Sequence, residues 1–156
     1  MNRKIKLAAV GLLLGSMLCL GAGPAKCPDE QGVKELVGEA VKHIQAKGEA
    51  AFAEMNQRPS RWSQGDRYIF VCDEKGTELV NSAFPELVGQ NLWDLKDEAG
   101  KYLVRDEVEL AKARSGWVES TWPKPGQSAP VKVRSYVSGV KLNGKFLVVG
   151  APCYLE

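Results

Sequence analysis

The chain has 156 residues, 44% hydrophobic and 26% charged, enough for one domain with a core and too few for two comfortable ones. Of its 21 basic and 19 acidic residues, Arg3, Lys4 and Lys6 lie at the extreme N-terminus, and without them 18 basic residues face 19 acidic ones. That balance leaves no evidence for a surface built for nucleic acid or for anionic membrane.

Residues 1–25 read as a signal peptide. The basic start is followed by an apolar run from Leu7 to Leu20 and then by Gly21-Ala22-Gly23-Pro24-Ala25. This order of basic, apolar and small residues marks an export leader, with cleavage expected after Ala25. The apolar run is short beside the roughly 20 residues of a membrane span. An uncleaved anchor is the alternative, and bulky Leu18 argues against a lipoprotein site at Cys19. Residues 26–156 then form one domain, periplasmic or secreted. No later apolar stretch is long enough to span a bilayer, so the membrane and output parts of any sensor are expected on another chain.

Pro28-Asp29-Glu30 opens a helix, and Val33, Leu36, Val37, Ala40, Val41 and Ile44 form its apolar face. Lys47-Gly48 stops it, and Ala50 to Met55 predicts a second, short helix. Arg58 to Gly65 is a polar loop. Arg67 to Cys72 predicts a strand, Asp73 to Gly76 a turn, and Thr77 to Val80 the return strand. Residues 81–100 are irregular, with Leu87, Leu92, Trp93 and Leu95 arguing for a packed lid. Leu103, Val104, Val108 and Ala111 mark a helix over Lys101–Arg114. Strands are predicted over Trp117–Trp122, Val131–Val137 and Phe146–Tyr154, the last two joined by the hairpin signal Asn143-Gly144. A long helix ahead of strands interrupted by one helical excursion predicts an α+β domain on one antiparallel sheet.

Catalytic chemistry is poorly represented. The single histidine, His43, falls outside the apolar helical set and is expected in solvent. No glycine-rich phosphate loop, zinc spacing or haem motif occurs, so no enzyme, cofactor or metal is expected. Asp73 and Asp97 sit in turns, where they are expected to bind backbone amides. No acidic pair stands out.

Several segments, in order, resemble single Cache domains of the second type. They are Gly65-Asp66-Arg67-Tyr68-Ile69-Phe70-Val71, Pro85-Glu86-Leu87-Val88-Gly89-Gln90-Asn91-Leu92, Asp94-Leu95-Lys96-Asp97, Gly116-Trp117-Val118-Glu119, Ser135-Tyr136-Val137 and Val148-Val149-Gly150-Ala151. The resemblance runs from about Val33 to Tyr154. It implies a PAS-like five-stranded antiparallel sheet behind a long N-terminal helix, with a small-molecule pocket under the loop–helix excursion. It also implies an extracytoplasmic sensory role, and several members bind short carboxylates. The chain departs from the family in lacking the usual C-terminal membrane helix and in carrying Pro152-Cys153 in its last strand.

From alternation, Tyr68, Phe70 and Cys72 share one face of their strand, Arg134 and Tyr136 share a face, and so do Trp117 and Glu119. A carboxylate clamp is expected from Tyr68, Phe70, Trp93, Lys96, Trp117, Arg134 and Tyr136. The plainer alternative makes the aromatic residues ordinary core, Lys96 a solvated loop lysine and Arg134 an exposed edge residue. The expected function is extracytoplasmic binding of a small carboxylate, reported through a partner such as a membrane receptor or kinase. The alternatives are a structural or interaction module without a ligand and a thiol-redox protein. Relatives bring both chain ends to the membrane side, which implies a Cys27–Cys153 disulfide and a buried free Cys72. Unpaired thiols, or Cys27 bonded to another chain, are the other possibilities.

Export is directly testable. N-terminal sequencing of protein from a cell-envelope fraction is expected to begin at or near Lys26, whereas intact Met1 on cytoplasmic protein would contradict it.

Overall fold

The structure is a computed structural model and describes residues 25–156. The expected leader, Cys19 included, lies outside the described residues except for Ala25. Helix α1 spans Glu30–Lys47. Asp29 caps it by accepting from the Gly32 amide at 3.0 Å, which satisfies one of the free N–H groups of the first turn. Its buried stripe is Val33, Val37, Ala40 and Ile44, as the spacing predicts. Gly48, at φ 64°, ends the helix in a conformation that suits glycine. Helix α2 is Ala50–Met55.

A small hairpin, β1 (Ser63–Gln64) and β2 (Arg67–Tyr68), leads into β3 (Phe70–Asp73) and β4 (Glu78–Asn81). The single strand expected over Arg67–Cys72 is thus broken at Ile69. The Ile69 amide donates to the Trp62 carbonyl and its carbonyl accepts from Ser82, both at 2.9 Å, so loop partners replace the sheet there. After an irregular stretch with one 3-10 turn (Pro85–Leu87) comes helix α3, Leu103–Ala113. Strands β5 (Gly116–Pro123), β6 (Pro130–Leu142) and β7 (Lys145–Tyr154) complete the chain. β6 runs past the expected Val137 because the turn that ends it is at Asn143-Gly144. Both turn residues have positive φ, 51° and 78°, the twist that fits a two-residue hairpin.

The five-stranded sheet has the order β4-β3-β7-β6-β5, with antiparallel neighbours throughout. It is the PAS-like α+β architecture that the resemblance implies. The sheet is covered on both faces. Ile69, Val71, Val149, Ala151 and Leu147 pack under α1. Tyr68, Phe70, Cys72, Val118, Val137 and Val148 pack under α3 and the 81–102 segment. β7 lies between β3 and β6, and its residues from Leu147 to Tyr154 are all buried.

Two expectations about burial need correction. His43 is half-buried rather than solvated. Its Nε2 lies 2.8 Å from Glu54, and its ring centroid is 5.2 Å from that of Trp62. Trp62, read as part of a polar loop, is 3% exposed and belongs to the core on the α1 face. No helix among the described residues is long and apolar enough to cross a membrane.

Cys27 and Cys153 form a disulfide, with Cα atoms 5.6 Å apart and a sequence separation of 126. Cys72 is a buried free thiol. Its register partner on β7 is Val148, five positions from Cys153, so the antiparallel pairing carries those two cysteines apart. Backbone bonds between Lys26 and Glu156, at 3.1 and 3.2 Å, join the chain ends beside the disulfide. In the chain-entropy account a loop of this length contributes about 5 kcal/mol. Replacing Cys27 and Cys153 together by serine is therefore expected to cost several kcal/mol in denaturant unfolding, while Cys72→Ser costs less. Equal stability with and without reductant would contradict a structural disulfide.

Candidate functional site

Beneath the 81–102 segment lies a small cavity of about 60 Å³ between the sheet and α3. Two larger depressions occur among the described residues. One is at the disulfide end, and the other is a groove along Glu74, Lys75, Leu142 and Lys145. The smaller cavity is distinguished by the buried polar groups that converge on it.

The segment over this cavity is an ordered lid. The Glu78 amide donates to the Gln90 carbonyl at 2.9 Å, Gly89 donates to Glu78 at 2.8 Å, and Leu92 donates to Gly76 at 2.8 Å. Gly76 has φ 84°, and a methyl group there would meet the Trp93 backbone at 3.0 Å, so glycine permits this close approach. Asp97 accepts from the amides of Ala99 and Lys101, both at 2.9 Å. Asp73 accepts from those of Lys75 and Thr77. Leu87, Leu92 and Leu95 turn from the lid into the cavity.

Strand parity decides which residues meet there. Tyr68 and Phe70 reach the cavity, together with Ser120, Trp122, Val133, Ser135 and Pro152. Trp117, Arg134 and Tyr136 have the opposite parity and stand on the α1 face. Trp117 and Tyr136 pack edge to face, with ring centroids 5.2 Å apart. Arg134 donates to Glu30 at 2.8 Å and lies over the Trp117 ring at 4.8 Å. This group fastens the start of α1 to the sheet. Lys96 is exposed, with its Nζ 4.5 Å from the Tyr102 ring centroid. Trp93 packs with Arg105 at the lid's edge, 5.4 Å from ring to guanidinium. Of the seven residues expected to form one site, only Tyr68 and Phe70 line this cavity.

Two glutamates take the polar positions instead. Glu78 is 4% exposed and Glu107 is 7% exposed, and both line the cavity. Asn81 Nδ2 donates to Glu78 Oε1 at 2.9 Å. Asn81 is itself held, its Oδ1 accepting from Ala83 and Phe84. Burial pushes the Glu78 carboxyl up to about 8 against the lowering bond from Asn81, with Glu107 adding to the rise. Burial likewise pushes Glu107 up to about 8 against the Ser135 hydroxyl, with Asp106 adding. Burial also raises the neighbouring Tyr68 phenol and Cys72 thiol. No Lys, Arg or His among the described residues lines this cavity.

Glu107 carried a sequence signal. The buried positions of α3 are 103, 104, 107, 108 and 111, so this glutamate sits in the middle of the apolar stripe. A charged residue there asks for an explanation. Glu78 gave no comparable sign, being one acidic residue in a strand of four. Among the described residues no cluster of metal-ligating side chains occurs.

The Cache domain profile dCache_2 matches residues 33–156. The methyl-accepting chemotaxis protein McpP of Pseudomonas putida is 32% identical over 92 residues, covering 58% of this chain and 16% of McpP. The chain thus spans less than a fifth of that relative. Among solved structures, one described as a periplasmic sensor domain of a chemotaxis protein has a TM-score of 0.61 at 32% identity, covering 79% of this chain and 88% of its own. Another, described as showing the structural basis for carboxylic acid recognition by a Cache chemosensory domain, has a TM-score of 0.66 at 27% identity. It covers 80% of this chain and 92% of its own.

The raised carboxyls have a consequence for stability. In the folded state both stay protonated where an unfolded glutamate, at about 4.3, has already lost its proton. The unfolded state then binds fewer protons, so stability falls as pH rises between about 4.5 and 8 and levels off above. The slope approaches 1.4 kcal/mol per pH unit for each fully linked carboxyl, by order of magnitude. Glu107→Gln is expected to remove a large share of it. Thermal melts across this range check this, and an unchanged slope in the variant would contradict it.

Proposed function

The chain belongs to the Cache domain family, and from that premise we propose that it is a sensory domain whose ligand occupies the cavity between α3, the lid and the sheet. The observation that carries this reading is the set of buried polar groups, Glu78, Asn81, Glu107 and Ser135, converging on a cavity with aromatic and aliphatic walls. Ordinary packing would leave such positions apolar. A few oriented polar groups in an apolar cavity form a small-molecule site.

Export through the leader and action in the periplasm fit the periplasmic sensor-domain neighbour. Signalling then passes through a partner chain, a membrane receptor or kinase. Pro152 in the cavity wall is adjacent to Cys153, so the ligand site and the joined chain ends share strand β7. A sensing role, rather than catalysis or thiol-redox chemistry, suits a buried Cys72 whose thiol is pushed up by burial, since reactive cysteines are exposed and easily ionised.

A short carboxylate is the ligand class favoured by the neighbour described as recognising carboxylic acids. Within this chain, the two cations expected to hold one lie elsewhere, Arg134 under α1 and Lys96 in solvent. The ligand class therefore has to be read from the cavity's own residues.

Mass spectrometry of small molecules released from purified mature protein tests the reading, followed by thermal shift with each compound found. A ligand at a hundredfold excess over its dissociation constant stabilises by about 2.7 kcal/mol, several degrees for a domain of this size. Ser120→Trp, which fills the cavity, is expected to abolish the shift. Arg134→Ala, on the other face, is expected to keep it. The reverse pattern would move the site to the α1 face.

A further inference from the structure

Resting on the reading of this cavity as the ligand site, we propose that it selects a small amine, held as an ammonium ion between Glu78 and Glu107, and not a carboxylate. Charge within a largely apolar cavity sets the selectivity. Glu78, on β4, and Glu107, on α3, both line the cavity, so two different elements bring their carboxyls to it. A carboxylate entering beside them would be a third acidic group in a volume with no counter-ion. An unpaired buried anion is among the costliest groups a protein interior can hold. An ammonium ion displaces a proton from one of these acids and pairs with the carboxylate so formed, its N–H donors matching carboxylate acceptors.

The other charged and titratable neighbours point the same way. Tyr68 lines the cavity from β2 with Tyr154 beside it. Cys72 and Asp73 lie on β3, and Asp106 adjoins Glu107 on α3. Each is neutral or acidic. Three basic residues on the adjoining elements are engaged elsewhere. Arg105 pairs with Asp94 on the lid's outer side, Lys112 with Glu74, and Arg134 with Glu30. Trp122, Tyr68 and Phe70 supply aromatic surface of the kind that favours a cation. The volume of about 60 Å³ admits a ligand of a few non-hydrogen atoms.

Uptake balances in protons. Before binding, the buried carboxyls are held protonated and the cavity is neutral. As the ammonium enters, one carboxylic acid releases its proton to solvent. The complex is then an ion pair beside one remaining acid, neutral overall. Amine affinity must therefore rise with pH while the carboxyls are protonated, by up to about tenfold per unit, and level off above about 8. A carboxylate ligand gives the opposite slope, because it binds only while these acids keep their protons.

The test is titration calorimetry of the mature, disulfide-bonded protein with ethylammonium and ethanolamine, against acetate and propionate, at pH values from about 6 to 9. The expected result is amine binding that tightens as pH rises and releases close to one proton. Glu107→Gln and Glu78→Gln each lose about tenfold or more in affinity, and the double variant loses amine binding together with its pH dependence. Acetate or propionate binding that tightens as pH falls would overturn the amine assignment, and so would failure of both amines to bind. Ser120→Trp separates the two levels of the argument. Loss of carboxylate binding in that variant would leave the cavity as the site and refute only its selectivity. Retention of all binding would refute the cavity itself.

Discussion

The structure depends on the burial of strand β7 on both faces. With neighbours on both sides and residues buried from Leu147 to Tyr154, this strand ties the layer under α1 to the layer under α3 and the lid. Its odd-numbered residues pack under α1 and its even-numbered ones under α3 and the lid. A shift of one residue in register would exchange the two sets. Gly150 shows how tight the arrangement is, since any side chain there would collide with the Phe70 ring. The same strand contributes Pro152 to the cavity wall and Cys153 to the disulfide. The two residues that depart from the family pattern are thus neighbours in sequence with different tasks on opposite faces.

Parity also explains how much of the fold was legible in the sequence. The stripe of α1, the start and end of α2, and the Asn143-Gly144 hairpin follow from local spacing and turn chemistry, which the packed structure leaves in place. The lid was legible as a packed segment because Leu87, Leu92 and Leu95 had no other reason to be there. Trp62 was not, because its burial under α1 depends on a loop path that no periodicity records. The break at Ile69 was hidden for a similar reason, its hydrogen bonds going to Trp62 and Ser82 on separate segments.

The candidate site was legible only in part. Alternation placed Tyr68 and Phe70 together, and Trp117, Arg134 and Tyr136 are indeed close to one another. Alternation within a strand does not say which face will carry the ligand. That is decided by β5 and β6 pairing in a register that turns Val118, Ser120 and Trp122 toward α3. The cation with the right residue type to hold an acid, Arg134, lies on the α1 face, where it serves the helix. The buried glutamates went unnoticed because acidic residues are common, although Glu107 stands in the middle of an apolar stripe.

The central claim is that the ligand layer is the α3 face and that its polar groups are acids. The most direct measurement is a crystal structure of the mature protein purified with its natural ligand in place. The account predicts ligand density enclosed by Tyr68, Glu78, Glu107 and Trp122, with at least one glutamate carboxyl within hydrogen-bonding distance. Density held by Arg134, Trp117 and Tyr136 under α1, with the α3 cavity filled only by water, would contradict it.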